Sequence, residues 1–503
     1  MTTEARKRWT LIVAILGLSI VIIDGTAVGV ALPAIEEDLD ATLADQQWIA
    51  NAYLLALAAL LLVGGSLGDL YGRKRIYGFG LVGFGITSLM CGLAPNVETL
   101  IAFRALQGAT GALLVPGTLA IISAAFEPEE RGRAIGQWAA WSGLAAALGP
   151  VVGGGLVDAL SWRAVFLINV PVIAVTLALC VWAVEESRDP TAGRTLDVPG
   201  VVLAALGLAG VTYGLIAAPS LGWGSPQVVV ALAGGTLMLI AFLACEARSN
   251  HPLMPLRYFR QGNFAAANAA TLTLYAALSG GFFFIPIFLQ GVGGYSALEA
   301  GAVLVPVTVI MLVLSPRAGA WGDRLGPRWF MAAGPVVAAL GMLVLSRMDA
   351  DADYLTVILP GLAIFGVGLA LTVAPLTTTV MGAVGSEHAG VASGINNMLS
   401  RVAGLLGIAV LGTIVATQFR SSLSTDQLPA TASTAAADAR DRPLAEAEPV
   451  GLAEDVAALL EGAVQEASVN AFQTAMLGAA VIALIGGVIS AIWIRNPERS
   501  QPA

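Results

Sequence analysis

The chain is a succession of apolar runs, each about twenty residues long, and this pattern decides most of what it can become. A helix of that length crosses about 30 Å of hydrocarbon. Inside lipid the backbone N–H and C=O groups have no water to bond, so such runs must be helical. Composition agrees: 57% of the 503 residues are hydrophobic and only 12% are charged, with a mean hydropathy of +0.81. A soluble domain keeps about a quarter of its residues charged, because its surface must be hydrated. The sequence therefore predicts an all-α polytopic membrane protein. About fourteen spans are expected, at 9–32, 46–67, 76–94, 97–125, 133–157, 163–184, 198–218, 227–246, 264–289, 298–316, 329–346, 355–378, 389–417 and 471–494. The first run follows Arg6-Lys7-Arg8 like a secretory leader, but its length and the absence of a small-x-small cleavage site make it the first span.

The cations fix the expected orientation, since cytoplasmic loops retain Lys and Arg. With the N-terminus inside, the cytoplasmic side collects Arg6, Lys7, Arg8, Arg73, Lys74, Arg75, Arg131, Arg133, Arg188, Arg194, Arg248, Arg257, Arg260, Arg317, Arg324, Arg328, Arg495 and Arg499. The outside receives Arg163, Arg347, Arg420, Arg440 and Arg442, together with Glu36, Glu37, Asp38, Asp40, Asp349, Asp351 and Asp353. The alternation stays clean to the last span, which places both termini in the cytoplasm and the chain in the plasma membrane. Residues 418–469 form a long external loop. Its first part is polar enough to be disordered. Its second part carries Val456, Leu459, Leu460 and Val464 at helical spacing, as a solvated tether or a helix along the membrane surface. Cys91, Cys180 and Cys245 sit in apolar runs and read as packing residues. His251 and His388 lie far apart, so no metal site is expected.

An internal repeat follows the second and tenth spans. Gly65-Ser-Leu-Gly-Asp69-Leu-Tyr-Gly72-Arg73-Lys74 is matched by Gly319-Ala-Trp-Gly-Asp323-Arg-Leu-Gly326-Pro-Arg328. Spans 5 and 13 also rhyme, with Gly136 and Gly149 falling as Gly394 and Gly407 do. Two related six-helix bundles are the economical reading, with spans 7 and 8 inserted between them. That divides the chain into an N-terminal bundle at 1–184, a linker with two inserted spans at 185–262, and a C-terminal bundle at 263–503. Repeated halves about a midplane site are a transporter architecture.

Four motifs together resemble the major facilitator superfamily, and within it the fourteen-helix drug–proton antiporters of the EmrB/QacA type. Ile23-Asp24-Gly-Thr26-Ala-Val-Gly-Val-Ala31-Leu32-Pro33 is similar to that family's first-helix signature. Gly65–Lys74 resembles motif A, and Leu100-Ile-Ala-Phe-Arg104-Ala-Leu-Gln107-Gly108-Ala-Thr-Gly111-Ala112 resembles motif B. Gly143-Leu-Ala-Ala-Ala-Leu-Gly149-Pro150-Val-Val-Gly153-Gly154 resembles motif C, which the superfamily associates with antiport. Ser161-Trp162-Arg163…Phe166…Asn169-Val-Pro171 and Gly390-Val-Ala-Ser393-Gly394…Arg401 are further family text. The resemblance implies a two-bundle facilitator fold and proton-coupled efflux of small lipophilic or cationic compounds, conferring drug or antibiotic resistance. For an antibiotic-producing actinomycete it implies a self-resistance exporter, with puromycin as one example of cargo. It departs from some relatives in lacking a carboxylate within Ala300–Leu314, which argues against recognition of doubly charged cations.

Three charges lie deep in the expected spans: Asp24, Arg104 and Arg401. At 1.5 Å per residue each falls about 20 Å from the cytoplasmic side. A buried charge is costly unless it is paired or wetted, so the three are expected to share a site. Burial disfavours the ionised form of Asp24 and a cationic partner favours it. An acid so balanced takes up and loses a proton, and the rival reading is a permanent structural pair of Asp24 with Arg104. The conformational set is Gly65, Asp69, Gly72, Arg73, Lys74, Gly149, Pro150, Gly153, Gly154 and Asp323. Asp69 can latch the cytoplasmic side by pairing with an Arg or capping a helix N-terminus. Asn51, Tyr53, Gln107, Trp138, Trp141, Tyr275, Phe282 and Phe283 are candidate contacts for a planar, lipophilic cargo.

The partners expected are a small-molecule substrate, protons and membrane lipids, with the protein a monomer that engages no nucleic acid. No cofactor is expected. An importer or metabolite exporter of the same fold remains open, as does a membrane enzyme acting on lipid-linked substrates. The enzyme would need a catalytic cluster that the sequence does not offer, and no phosphate-binding loop supports ATP-driven export.

Overall fold

The computed structural model of the chain describes residues 2–188, 197–249, 252–384, 389–423, 429, 432–447, 449 and 451–496. His251, His388, Arg194 and Arg499 lie outside the described residues. Every regular element among those described is helical. In chain order these are α1 (Thr3–Leu39), α2 (Leu43–Tyr71), α3 (Arg73–Gly92), α4 (Val97–Ala125), α5 (Pro128–Ala159), α6 (Arg163–Leu167), α7 (Asn169–Ala183), α8 (Val198–Leu221) and α9 (Pro226–Arg248). There follow α10 (Gly262–Gly291), α11 (Ala297–Ala302), α12 (Val305–Leu325), α13 (Pro327–Leu345), α14 (Leu359–Gly382), α15 (Ala389–Ser422), α16 (Ser433–Ala439) and α17 (Glu454–Trp493).

Among the described residues, 13 stretches are long and apolar enough to cross a membrane. The remaining expected span is α3. It opens on Arg73-Lys74-Arg75 and carries Gly78, Gly80, Gly83 and Gly85, which dilute its hydropathy, yet it packs among α2, α4 and α7. Several helix starts carry the polar caps that satisfy orphan N–H groups. Thr42 and Asp45 form a reciprocal capping box at α2, and Asn96 caps α4.

The chain divides into two compact units. Unit 1 contains Met1–Leu253 and Ile285–Ala302; unit 2 contains Met254–Phe284 and Val303–Ala503. The inserted pair α8 and α9 falls in unit 1, where the rings of Trp48 on α2 and Tyr213 on α8 lie 6.5 Å apart. These two helices pack backbone to backbone: a Cβ on Gly210 would sit 2.9 Å from the carbonyl oxygen of Ala231.

The repeat recurs as matched contacts inside each unit. Gly72 and Gly326 adopt φ of 116° and 92°, a region that favours glycine. Each turn is closed by the third residue past a helix, α7 in unit 1 and α17 in unit 2. In unit 1, Glu186 accepts from the backbone N–H groups of Lys74 at 3.0 Å and Arg75 at 3.1 Å, capping α3. In unit 2, Asn496 accepts from Arg328 N–H at 3.1 Å, capping α13. A Cβ on Gly72 would meet the Glu186 carboxylate at 2.7 Å, and one on Gly326 would meet Asn496 at 2.3 Å. Likewise Gly149 lies against Thr26 and the Ile23 carbonyl of α1, as Gly407 lies against Ala276 of α10.

The segment 418–469, expected to lie outside, differs from expectation in its structure. Val456, Leu459, Leu460 and Val464 do share a helix, but it is α17 itself, which runs unbroken for 40 residues, about 60 Å. The extension rises from the last span because no glycine or proline interrupts Glu454–Gly478 apart from Gly462. It is neither a tether nor a surface helix. The described part of the first segment is also structured: α16, an ion pair between Arg420 and Asp441, and a fully buried Leu444 whose N–H donates to Ser468 Oγ.

Candidate functional site

Two of the three charges found in the sequence meet inside unit 1. Asp24 on α1 and Arg104 on α4 are 0% and 1% exposed, and Arg104 Nη1 lies 2.6 Å from Asp24 Oδ2. The other carboxylate oxygen accepts from Gln107 Nε2 at 3.0 Å and from Asn169 Nδ2 at 2.9 Å. Arg104 also donates to Gln107 Oε1 at 2.7 Å and, through Nε, to the Ile49 carbonyl at 3.2 Å. Its guanidinium lies 4.2 Å from the centroid of the Tyr53 ring. Ser88 of α3 accepts from Gln107 and Asn169 and donates to the Phe166 carbonyl at 2.9 Å. The Cys91 thiol donates to Gln107 Oε1 at 3.6 Å.

Local sequence explains how these groups converge. Arg104 and Gln107 stand three residues apart on one face of α4. Gly108 lets α4 approach α2 so closely that a Cβ there would lie 2.2 Å from the Tyr53 carbonyl. The sixth span is broken at Ile168 into α6 and α7, which starts α7 at Asn169 and brings its amide to Asp24. Every oxygen of the carboxylate is thus met by a donor, the condition under which a buried charge is tolerable.

Asn169 and Ser88 were not among the candidate site residues. The only sequence signal for Asn169 was its place in Asn169-Val-Pro171; Ser88 gave none. Tyr53, a candidate cargo contact, is buried, and its hydroxyl donates to the Val21 carbonyl at 3.2 Å. Gln107 is fully committed to the network. Asn51 is also buried, and its amide has no hydrogen-bond partner among the described residues. Trp138 is half-buried on Ala14, Ile122 and Ala134, while Trp141 is 53% exposed. In unit 2, Phe282 packs on Phe365 with centroids 6.2 Å apart, Phe283 is buried, and Tyr275 is half-buried. Arg401 belongs to unit 2, half-buried on α15.

The conformational candidates take up defined local contacts. Asp69 pairs with Arg73 one turn on, at 2.8 Å, and Arg73 Nη1 reaches the Ala120 carbonyl of α4 at 3.5 Å. Lys74 Nζ donates to the Val181 carbonyl at 2.9 Å, and Gly65 packs on Pro116. Asp323 is exposed near the end of α12. Gly153 is pressed on Ala27 of α1, and a Cβ on Gly154 would lie 2.3 Å from the Ala297 carbonyl of α11. The Pro150 carbonyl would lie 2.2 Å from a Cβ on Gly301. Asp158, at the end of α5, accepts from Ala297 and Leu298 N–H at 3.1 and 3.0 Å. No group of three or more metal-ligating side chains occurs among the described residues.

Comparison with known proteins places this architecture. The profile of the Major Facilitator Superfamily matches residues 14–408. The chain is 37% identical over 409 residues to the tetracenomycin C resistance and export protein of Streptomyces glaucescens, covering 81% of this chain and 76% of that one. It is 37% identical over 419 residues to the puromycin resistance protein of Streptomyces alboniger, covering 82% of each. The multidrug resistance protein Stp of Mycobacterium tuberculosis is 36% identical over 415 residues, covering 82% of this chain and 77% of that one. Among solved structures, a bacterial homologue of the human lysosomal transporter Spinster shares the fold with a TM-score of 0.70 at 16% identity, covering 97% of this chain and 96% of that one. The chain is a multi-pass membrane transporter rather than an enzyme, and it belongs to the Major Facilitator Superfamily.

Proposed function

We propose that the protein exports small lipophilic or cationic organic compounds across the cell membrane in exchange for protons, and thereby confers drug or antibiotic resistance. It works as a monomer with both termini in the cytoplasm. The resistance and export functions named for its relatives support the direction and the class of cargo. The observation that carries proton coupling is the buried pair of Asp24 and Arg104.

Asp24 holds together three elements: α1, which carries it, α4 through Arg104 and Gln107, and α7 through Asn169. A proton on the carboxylate cancels its charge and leaves Arg104 as an uncompensated buried cation, which low-dielectric surroundings penalise heavily. Protonation therefore cannot occur in place at little cost. It requires α1 to move, so that the guanidinium regains water or another acceptor. Gly149 and Gly153 couple α1 to α5, and Gly154 couples α5 to α11, so the shift is passed along packed backbones rather than absorbed by flexible side chains. Cargo leaves when a proton taken from outside breaks the network, and the network re-forms when the proton is lost inside.

Efflux of a compound panel from cells expressing the protein, with and without a protonophore, tests this reading. Lower accumulation than in control cells, abolished by the protonophore, is expected. Export that persists undiminished without a proton gradient would overturn it, as would accumulation of cargo by expressing cells.

A further inference from the structure

A second charged position in the spans is left unused by the Asp24 network. Arg401 lies twelve residues into α15, about 18 Å along its axis. It is half-buried and makes no hydrogen bond or ion pair among the described residues. No acid lies at its depth on the described helices of unit 2: α10, α13, α14 and α15 contain no Asp or Glu, the acid of α12 is Asp323 near its cytoplasmic end, and those of α17 lie in its external extension. A cation held within a span needs water or a partner. This one is half-buried and, among the described residues, has neither carboxylate nor carbonyl committed to it.

Its surroundings are rich in donors. Asn397, one turn earlier on the same face, is exposed and uses one amide N–H on the Ser393 carbonyl, leaving its second N–H free. Arg401 acts electrostatically on Tyr275 of α10, whose hydroxyl has no hydrogen-bond partner among the described residues. The neighbouring Asn396 is by contrast committed, to Asn268 at 3.1 Å and Thr271 at 2.7 Å. The donors of this region therefore sort into two groups: those of Asn396 are committed, while one N–H of Asn397 and the Tyr275 hydroxyl are not. In unit 1 the buried carboxylate is already neutralised by Arg104.

We propose that Arg401, with Asn397 and Tyr275, binds an anionic oxygen of the cargo: a carboxylate, phenolate or enolate on an otherwise lipophilic molecule. A planar guanidinium and two neutral donors suit delocalised oxygen charge. The inference rests on the export reading only in taking the bound molecule to be cargo; of the lipophilic and cationic compounds that reading covers, it selects lipophilic acids and leaves the cations aside.

The test is equilibrium dialysis of the purified full-length protein in lipid nanodiscs against two probes of nearly equal shape. One is 2-hydroxy-1,4-naphthoquinone, an anion at neutral pH; the other is its neutral methyl ether. The wild type is expected to bind the anion about tenfold or more tightly than the ether, the ratio that a charge-assisted hydrogen bond supplies. Arg401→Gln is expected to abolish that preference and leave the ether unchanged, with Arg401→Lys retaining part of it and Tyr275→Phe losing a few-fold. Equal binding of the two probes by the wild type overturns the proposal, whether or not any variant folds. So does equal loss of both probes in Arg401→Gln. Dialysis needs no gradient, so protonophore-sensitive efflux in cells combined with no anion preference removes this site alone. Preference for the anion without gradient-driven efflux removes the export reading alone.

Discussion

Asp24 and Arg104 are each intolerable in lipid and tolerable together, and this mutual dependence is measurable. Asp24→Ala alone strands a guanidinium that is 1% exposed, a loss expected to cost about 3–5 kcal/mol of stability. The double variant Asp24→Ala/Arg104→Ala removes both charges and is expected to recover most of that loss. Neither variant is expected to restore gradient-driven efflux. Thermal unfolding in detergent, read alongside transport, separates the two effects, and a double variant no more stable than Asp24→Ala would contradict the pair as drawn. Asn169 is a gentler probe. Asn169→Ala removes one of three donors to the carboxylate and is expected to destabilise by about 1–3 kcal/mol. The ionisable members of this network were legible in the sequence, because a charge inside an apolar run stands out. Of its neutral members, Gln107 was a candidate, but Ser88 and Asn169 were not. Amides and hydroxyls occur throughout such helices, where a hydroxyl often bonds its own backbone four residues back, as Thr176 does to Val172.

Helix ends carry the next level of information. The spacing of apolar residues located the spans well but underestimated their length, since it registers only the part inside hydrocarbon. α1 continues to Leu39, and α17 begins at Glu454, a long way before its apolar portion. The repeat of Gly65–Lys74 in Gly319–Arg328 was visible as text. What closes each turn was not, because Glu186 and Asn496 lie more than a hundred residues from the glycines they meet and share no motif with each other. Their equivalence is positional: each stands three residues beyond the helix that ends its six-span half of the repeat, α7 and α17. Glu186→Ala is expected to destabilise by about 1 kcal/mol through loss of the α3 cap, and Glu186→Gln by less. Gly72→Ala combines a left-handed φ with a clash against that carboxylate and is expected to cost about 1–3 kcal/mol. Thermal unfolding of the three variants checks the order; a neutral Gly72→Ala would contradict the turn geometry.

Across the whole molecule, the orientation proposed from the distribution of cations is open to direct labelling. A cysteine-free background carrying Gly132→Cys is expected to resist a membrane-impermeant maleimide in intact cells, whereas Ser296→Cys and Asp351→Cys are expected to react. Reaction of Gly132→Cys would invert the proposed topology. The family and its architecture were legible from the four motifs and the apolar runs, because lipid leaves the backbone so few choices. The division of labour between the two units was less so. The sequence placed Arg401 with Asp24 on depth alone, whereas all the hydrogen bonds of the carboxylate are made within unit 1. Depth along a helix says nothing about which face a side chain occupies.

The claim on which the account depends is that the Asp24 carboxylate gains and loses the transported proton. Purified protein in proteoliposomes, loaded with a pH-sensitive dye and given an exported compound, measures proton movement and cargo movement together. Wild-type protein is expected to show proton flux that begins on addition of cargo, and Asp24→Asn to abolish it. Cargo-dependent proton flux that persists at the wild-type rate in Asp24→Asn would contradict the account.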